Sequence, residues 1–396
     1  MSTQTPDLPV ETMDLQMGPS HPATHGTIKF NLKLEGEKVL DCEVEVGYLH
    51  RGFDKMCEQA TWNQVIPYTD RLNYVSPLIN NFGYALAVEN LLGVETPPRC
   101  QFIRVAMSEL SRIMDHLTCL GMAASELGAI TAGFYMIEAR ELLMRIIEAV
   151  TGARLTISYA RIGGVKHDLP PDFSDWVADA FRKTRRLLAD CERLLSRNRI
   201  FIDRMSGIGV VSREMAVAYG LTGPILRSTG VNYDVRKAQP YLVYDQMDFE
   251  VPLGTKGDNY DRFICRILEI EQSMRIVEQA LEKMPLGPIA LDDPKIVLPE
   301  KEKVYNSIEG LMNHFKFIME GIQVPAGEVY FAVEGGNGEL GFYIVSQGGG
   351  RPYRVRVRPP CFIAMSAFHE MIRGHMIADI IPTFGMINMI GGECDR

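Results

Sequence analysis

The sequence predicts an α+β protein: a core bundle of long helices, preceded by a β-hairpin region and followed by a second β region. Three observations carry this. Apolar and polar residues alternate strictly in "TIKFNLKLEGEKVLDCEVEVGYL". A period near 3.6 runs through long stretches of the middle of the chain. Alternation then returns beyond residue 327.

In the first region Ile28, Phe30, Leu32 and Leu34 face one way and Lys29, Asn31, Lys33 and Glu35 the other. "EGEK" turns the chain, and Leu40, Cys42, Val44 and Val46 repeat the pattern, as in a hairpin with one buried face. From Gln101 to Glu126 the set Ile103, Met107, Leu110, Ile113, Met114, Leu117 and Leu120 predicts a first helix. Phe134 to Val150 predicts a second, with Gly152 placed to end it. "PPDFSDWVADAFRKTRRLLADCERLLSRN" opens a third after two prolines, and Tyr260 to Met284 a fourth before "PLGP". These four suit an antiparallel bundle. "EVYFAVEGGNGELGFYIVSQGG" predicts two strands around a glycine-rich turn, and Tyr353 to Arg358 another. A final helix is expected over Met365 to Ile381. The chain reads as one body over residues 1–396: an N-terminal β region (1–60), a helical core (61–320) and a C-terminal β region with its tail (321–396).

Composition narrows the function classes. With 46% hydrophobic and 23% charged residues, the chain can bury a large core. A net charge of −9 argues against nucleic acid, because phosphate binding needs a positive field. "MSTQTPDLPVETMDLQ" lacks the basic and apolar regions of a signal peptide. A membrane span needs roughly 20 apolar residues. The nearest approach, Leu117 to Ile137, is broken by Glu126 and three glycines, so a buried helix–turn–helix is expected. Eight cysteines stand singly, with no C-x-x-C pair for zinc or an iron–sulfur cluster.

His21 and His25 in "GPSHPATHGTIKF" stand four apart. That spacing suits zinc on a helix, but Pro22 and Gly26 oppose a helix here. The alternatives are a hydrogen-bonded turn or a proton donor, since an unperturbed imidazole titrates at about 6.5. A donor would need a cavity, a second donor and an orienting carboxylate. "PYTDRLNYVSP" offers Asp70, Arg71 and Tyr74, the last a phenol able to donate to a carbonyl-like oxygen or simply a half-buried core residue. Glu126 interrupts the most apolar stretch, so its carboxylate should have a partner, and an imidazolium would serve. "EGGNGELG" lies between strands, where a phosphate loop should open a helix. "RKTRRLL" reads as a solvated helix face.

"MGPSHPATHG", "GYLHRGFDKMCE", "PYTDRLNYVS", "IRVAMSELSRI", "RIGGVKHDLP", "YDVRKAQPY" and "GECDR" follow one another across nearly the whole chain. Together they resemble the 49 kDa subunit family of respiratory complex I, the D subunits of bacterial NADH:quinone oxidoreductase. That family is similar in turn to the nickel–iron hydrogenase large subunit, so the resemblance implies a hydrogenase-large-subunit-like fold. Hydrogenases hold their metal with two C-x-x-C pairs. Here only Cys57 and Cys394 stand at those places, and the metal site is expected to be lost while its cavity remains.

The resemblance further implies that His25 and Tyr74 flank a quinone headgroup and supply protons for its reduction. Where the family usually has aspartate in D-L-G-A, this chain has Glu126 in "SELGA", and "TAGFY" replaces T-P-F-F. Arg51 and Arg71 match basic residues near the terminal iron–sulfur cluster of the neighbouring B subunit, where positive charge favours the reduced cluster. The alternative for both arginines is a buried ion pair with Asp70 or Asp54. His167 matches a position that couples cluster reduction to protonation. The chain itself would bind no cofactor and no metal, with quinone as substrate and NADH as the usual donor to the complex. Implied partners are the iron–sulfur B subunit, the C subunit, the ferredoxin-like I subunit and the membrane-embedded H and A subunits. The implied place is the cytoplasmic face of the bacterial inner membrane, as a peripheral subunit of a proton translocase. Two other readings stand beside it: an inert assembly scaffold of a related ferredoxin- or hydrogenase-linked membrane complex, and a hydrogenase-like metalloenzyme, which the missing cysteines disfavour.

Overall fold

The computed structural model describes residues 11–396; the segment read above for a leader lies partly outside this range. Strands β1 (Thr12–Met17), β2 (Lys29–Glu35) and β3 (Lys38–Glu45) form an antiparallel sheet in that order. β1 extends the expected hairpin to three strands. Its alternation of Met13, Leu15 and Met17 is short, and only Met17 is buried, so the signal is weak. The hairpin register also corrects one expectation. Lys33 pairs with Asp41 and Leu34 with Val39, so Leu40 is the extra residue of a bulge and Val39 takes the buried place. The buried face of the sheet packs on the C-terminal helices, with Phe30 stacked on Phe368 at 4.7 Å.

Helices α1 (Phe53–Gln59) and α2 (Pro77–Leu92) precede the bundle. α2 carries apolar residues on every side and is buried nearly all round, so no single face marks it in the sequence. It packs against the C-terminal sheet, where a side chain on Gly83 would meet Val333 at 2.8 Å.

The bundle follows as α3 (Pro98–Glu126), α4 (Ile130–Thr151), α5 (Phe173–Leu195) and α6 (Asn259–Lys283). All four expected helices form. α3 packs on both α4 and α6, and α4 on α5. A three-residue turn separates α3 from α4, and the helices meet so closely that a Cβ on Gly133 would stand 2.0 Å from Ser125 Oγ. Gly152, at φ 84°, closes α4 by donating its N–H to Glu148. α3 departs from an ordinary amphipathic helix: the expected apolar set is buried, but so are Arg104, Glu109, Arg112, Asp115 and His116 on the other sides.

Beyond α7 (Ile308–Met319) come β4 (Gly327–Glu334), β5 (Glu339–Ser346) and β6 (Arg354–Arg358), a second antiparallel sheet in chain order. The expected final helix over 365–381 is broken. α8 (Pro360–Ser366) and α9 (Phe368–Ile372) end at Gly374, whose N–H donates to Val39 O at 2.7 Å while Val39 N–H donates to His375 O. Residues 374 and 375 thus join the edge of β3 instead of continuing a helix. The chain then forms α10 (Ile380–Ile387) and α11 (Gly391–Asp395), both buried.

Candidate functional site

The two histidines of the opening motif separate in role. His21 Nδ1 accepts from the Ala23 N–H and caps a single 3₁₀ turn over Pro22–Thr24, as a turn residue. His25 follows in the left-handed region, at φ 52°, and its ring turns toward the end of α3 and the C-terminal segment. Its Nε2 lies 3.4 Å from Glu126 Oε1 and its Nδ1 3.4 Å from the Met389 carbonyl, with Phe384 packed edge-on at 4.7 Å. The imidazole stays 32% exposed, so it borders open space as well as its two partners. Glu126 is the last residue of α3, and Gly385 makes room for it: a Cβ there would stand 3.0 Å from Glu126 Oε2. The carboxylate that breaks the apolar stretch therefore meets an imidazole.

Tyr74 lies in the turn between α1 and α2 and is 41% exposed, so it is no core residue. Burial of the rest of the ring raises its phenol pKa, the Cys361 thiol adds to that, and Arg51 opposes it. The turn is tightly anchored. Asn73 Nδ2 and Ser76 Oγ, on either side of Tyr74, each donate to Asp115 Oδ2 at 2.8 Å, and Asn80 donates to Asn73 O at 2.9 Å.

Arg51 and Arg71 correct the ion-pair alternative. Arg51 Nη2 donates to two carbonyls, Arg71 O at 2.9 Å and Gly392 O at 3.0 Å, and Arg71 donates to Pro67 O. Asp54 instead pairs with Arg356 at 3.2 Å, and Asp70 accepts from Ser158 N and Oγ. Among the described residues neither arginine forms a salt bridge, and the guanidinium hydrogen bonds they make go to backbone carbonyls. With Phe53, Met56, Pro67 and Tyr68 they line an open, mostly apolar recess of about 380 Å³. His167 stands apart: its side chain is exposed and its carbonyl accepts from Tyr159. Asp70 ties the Tyr74 segment to Ser158, at the start of the stretch that leads to His167.

Residues 388–396 join these groups. Met389 O faces His25, Gly392 O binds Arg51, the Asp395 carboxylate accepts from Gly47 N and Leu49 N, and Asp395 O meets His50 Nδ1 at 2.7 Å. Cys57 and Cys394 are both buried, and burial pushes both thiols far above their usual range.

Beneath the site α3 carries a second set of residues that the sequence reading missed. Arg112 and Arg236 share Glu109, Arg236 also grips Asp234, and Arg227 bridges Glu269 and Glu334. His116 Nε2 meets Glu269 at 2.8 Å, and burial lowers the His116 pKa. Arg104 and Glu89 form a two-pronged pair at 2.6 and 2.7 Å that also holds Gly163 N and Gly164 O. The signal was there: "IRVAMSELSRIMDHL" sets charges at helical intervals on faces that only a fully enclosed helix would bury.

Fold and site together define an α+β protein whose helical bundle carries a half-open imidazole–carboxylate pair. An arginine-lined recess and an anchored tyrosine turn stand on the same C-terminal segment. Residues 126–396 match the family described as the 49 kDa subunit of respiratory-chain NADH dehydrogenase. The chain is 57% identical over 391 residues to the first D-type subunit of the NADH-quinone oxidoreductase of Sorangium cellulosum (strain So ce56), covering 98% of this chain and 97% of that protein. It is 53% identical to the corresponding D-type chain of Myxococcus xanthus (strain DK1622), over 98% and 94% of the two chains. It is 50% identical to the combined C/D-type chain of Bdellovibrio bacteriovorus (strain ATCC 15356 / DSM 50701 / NCIMB 9529 / HD100), covering 97% of this chain and 69% of that one. The chain belongs to the 49 kDa subunit family of respiratory-chain NADH dehydrogenase.

Proposed function

We propose that this chain works within an NADH:quinone oxidoreductase of the complex I type. It forms a quinone cavity together with the iron–sulfur B subunit, on a hydrogenase-large-subunit-like fold that has kept its cavity and lost its metal. The observation that carries the reading is His25, about a third exposed and held between Glu126 and the Met389 carbonyl. An imidazole so placed is aimed but still open to a ligand.

Reducing a quinone to a quinol takes two electrons and two protons. An iron–sulfur centre in the B subunit would supply the electrons, and Arg51 and Arg71, were it to lie beside them, would favour its reduced state by their charge. The Tyr74 phenol, kept protonated by burial, donates a proton to one carbonyl oxygen, and the His25 imidazolium donates to the other. Glu126, 3.4 Å from Nε2, orients the His25 ring. His167, exposed and apart from these groups, would couple to the cluster's protonation only where the B subunit docks against that surface. The C, I, H and A subunits complete the assembly on the cytoplasmic face of the inner membrane, where quinone reduction drives proton translocation. A peripheral placement agrees with the absence, among the described residues, of any helix long and apolar enough to cross a membrane.

The test is Tyr74→Phe in the complex purified from its native membrane. Quinone reductase activity falls, while NADH oxidation by an artificial acceptor that bypasses the quinone is retained. Loss of both would favour an assembly scaffold, and loss of neither would remove Tyr74 from the headgroup.

A further inference from the structure

Glu393 is 2% exposed, and among the described residues no cation pairs with it. Its Oε2 lies 2.5 Å from Cys361 Sγ, on α8. Cys361 is equally buried, accepts from Asn337 Nδ2 and Ile390 N at 3.5 Å, and lies 3.7 Å from the Asn388 carbonyl. A second buried carboxylate, Asp115 on α3, stands across a bridge of two amides. Asn388 Nδ2 donates at 2.7 Å to both Asp115 Oδ1 and Asn337 Oδ1. The nearest cation on the bundle side is Arg266 of α6, which reaches Asn337 at 3.3 Å but is shared with His116 and two carbonyls. Arg51 approaches from the recess side, where it binds Gly392 O; Cys394 and Asp395 are neighbours on α11 itself.

The two carboxyls are unequal. Asp115 accepts three hydrogen bonds. Glu393 has a thiol and an amide for partners and another carboxylate nearby. Burial above all, with Asp115 adding, raises its pKa to about 7. Both are wired to the site. Asp115 holds the residues flanking Tyr74, and Cys361 connects to Asp115 through the Asn337 and Asn388 amides. Met389 and Gly392, next to Glu393 in the chain, hold His25 and Arg51.

We propose that Glu393 is a proton-holding positioning residue for quinone reduction, and that its charge state sets how readily Tyr74 donates. With the carboxyl neutral, the ground behind Tyr74 carries one negative charge, on Asp115. When Glu393 loses its proton to solvent, the Cys361 S–H turns to donate to the new carboxylate, and no bond to sulfur forms or breaks. The added negative charge raises the Tyr74 phenol further and weakens it as a donor. Quinone reduction therefore declines as pH rises through the Glu393 transition.

This rests on the quinone-site reading, and its test separates the two. In the purified complex, the ratio of quinone reductase to artificial-acceptor activity is followed from pH 6 to pH 8.5. A single group titrating near neutrality keeps only about one-thirtieth of its protonated form 1.5 pH units above its midpoint, so the ratio falls by up to about thirtyfold between pH 6 and pH 8.5. In Glu393→Gln, fixed neutral, that limb disappears and the ratio stays near its acid-side value. In Glu393→Asp it returns. Cys361→Ala removes a donor to the carboxylate and moves the limb to higher pH, which serves where Glu393→Gln does not assemble. A wild-type limb in Glu393→Gln, or an unmoved limb in Cys361→Ala, overturns the proposal. If Tyr74→Phe still abolishes quinone reduction in that case, the quinone reading stands and only the role of Glu393 fails.

Discussion

Asp115 is the point at which a single atom change should loosen the tyrosine turn. Its Oδ2 accepts from Asn73 and Ser76, and its Oδ1 from Asn388. Asp115→Asn keeps the shape and replaces one acceptor by an NH₂. If the amide nitrogen takes the Oδ1 side, it opposes the Asn388 amide; on the Oδ2 side it opposes that of Asn73. One bond to a charged group is lost either way, at about 1.5–3 kcal/mol, and the other two fall to neutral strength, at about 1 kcal/mol each. Removing a buried charge offsets part of this, leaving a net loss of about 2–4 kcal/mol. Urea unfolding of the purified chain should show it as a lower midpoint with an unchanged slope. In the complex, KM for quinone should rise while the artificial-acceptor rate holds. A stability change under about 0.5 kcal/mol, together with an unchanged KM, would refute the anchoring argument.

Two further outcomes follow from contacts elsewhere. Glu89→Gln leaves the buried Arg104 guanidinium short of its counter-charge and should cost about 3–5 kcal/mol in urea unfolding, whereas Glu89→Leu combined with Arg104→Met should recover most of that loss. Gly392→Ala places a methyl 2.4 Å from Arg71 O and 2.8 Å from Leu72 O. The α11 turn must then shift and release Arg51, giving about 1–3 kcal/mol of destabilisation and a larger fall in quinone reductase than in artificial-acceptor activity.

The long helices were legible because one face of each repeats at 3.6 residues. Tyr260–Met284 became Asn259–Lys283, and Gln101–Glu126 became Pro98–Glu126. Pro77–Leu92 was not, because a helix buried on all sides has no contrasting face to read. The break at Gly374 depends on pairing with Val39, more than 330 residues earlier, which no local window contains. The site was legible in part. A lone glutamate in an apolar stretch demands a partner, but only the fold brings His25 to Glu126. Asp115 and Glu393 were missed for opposite reasons. One looked like the solvent face of a helix, and the other sat in a tail noted only for its cysteine.

The tail's contacts have a consequence for biosynthesis. His25 waits for Met389, 364 positions later, Arg51 for Gly392, 341 later, and His50 for Asp395, 345 later. At a translation rate of about 5–20 residues per second, each waits about 20–70 s before its partner exists. Phe30 of the first sheet waits similarly for Phe368 and Phe384, leaving an apolar sheet face uncovered meanwhile. Closing such sequence-distant contacts is slow, and the exposed intermediate is prone to aggregate. A ribosome stalled short of residue 389 would hold a nascent chain with its bundle helices complete and no floor under the pocket. Holding chaperones should meet this chain during that interval.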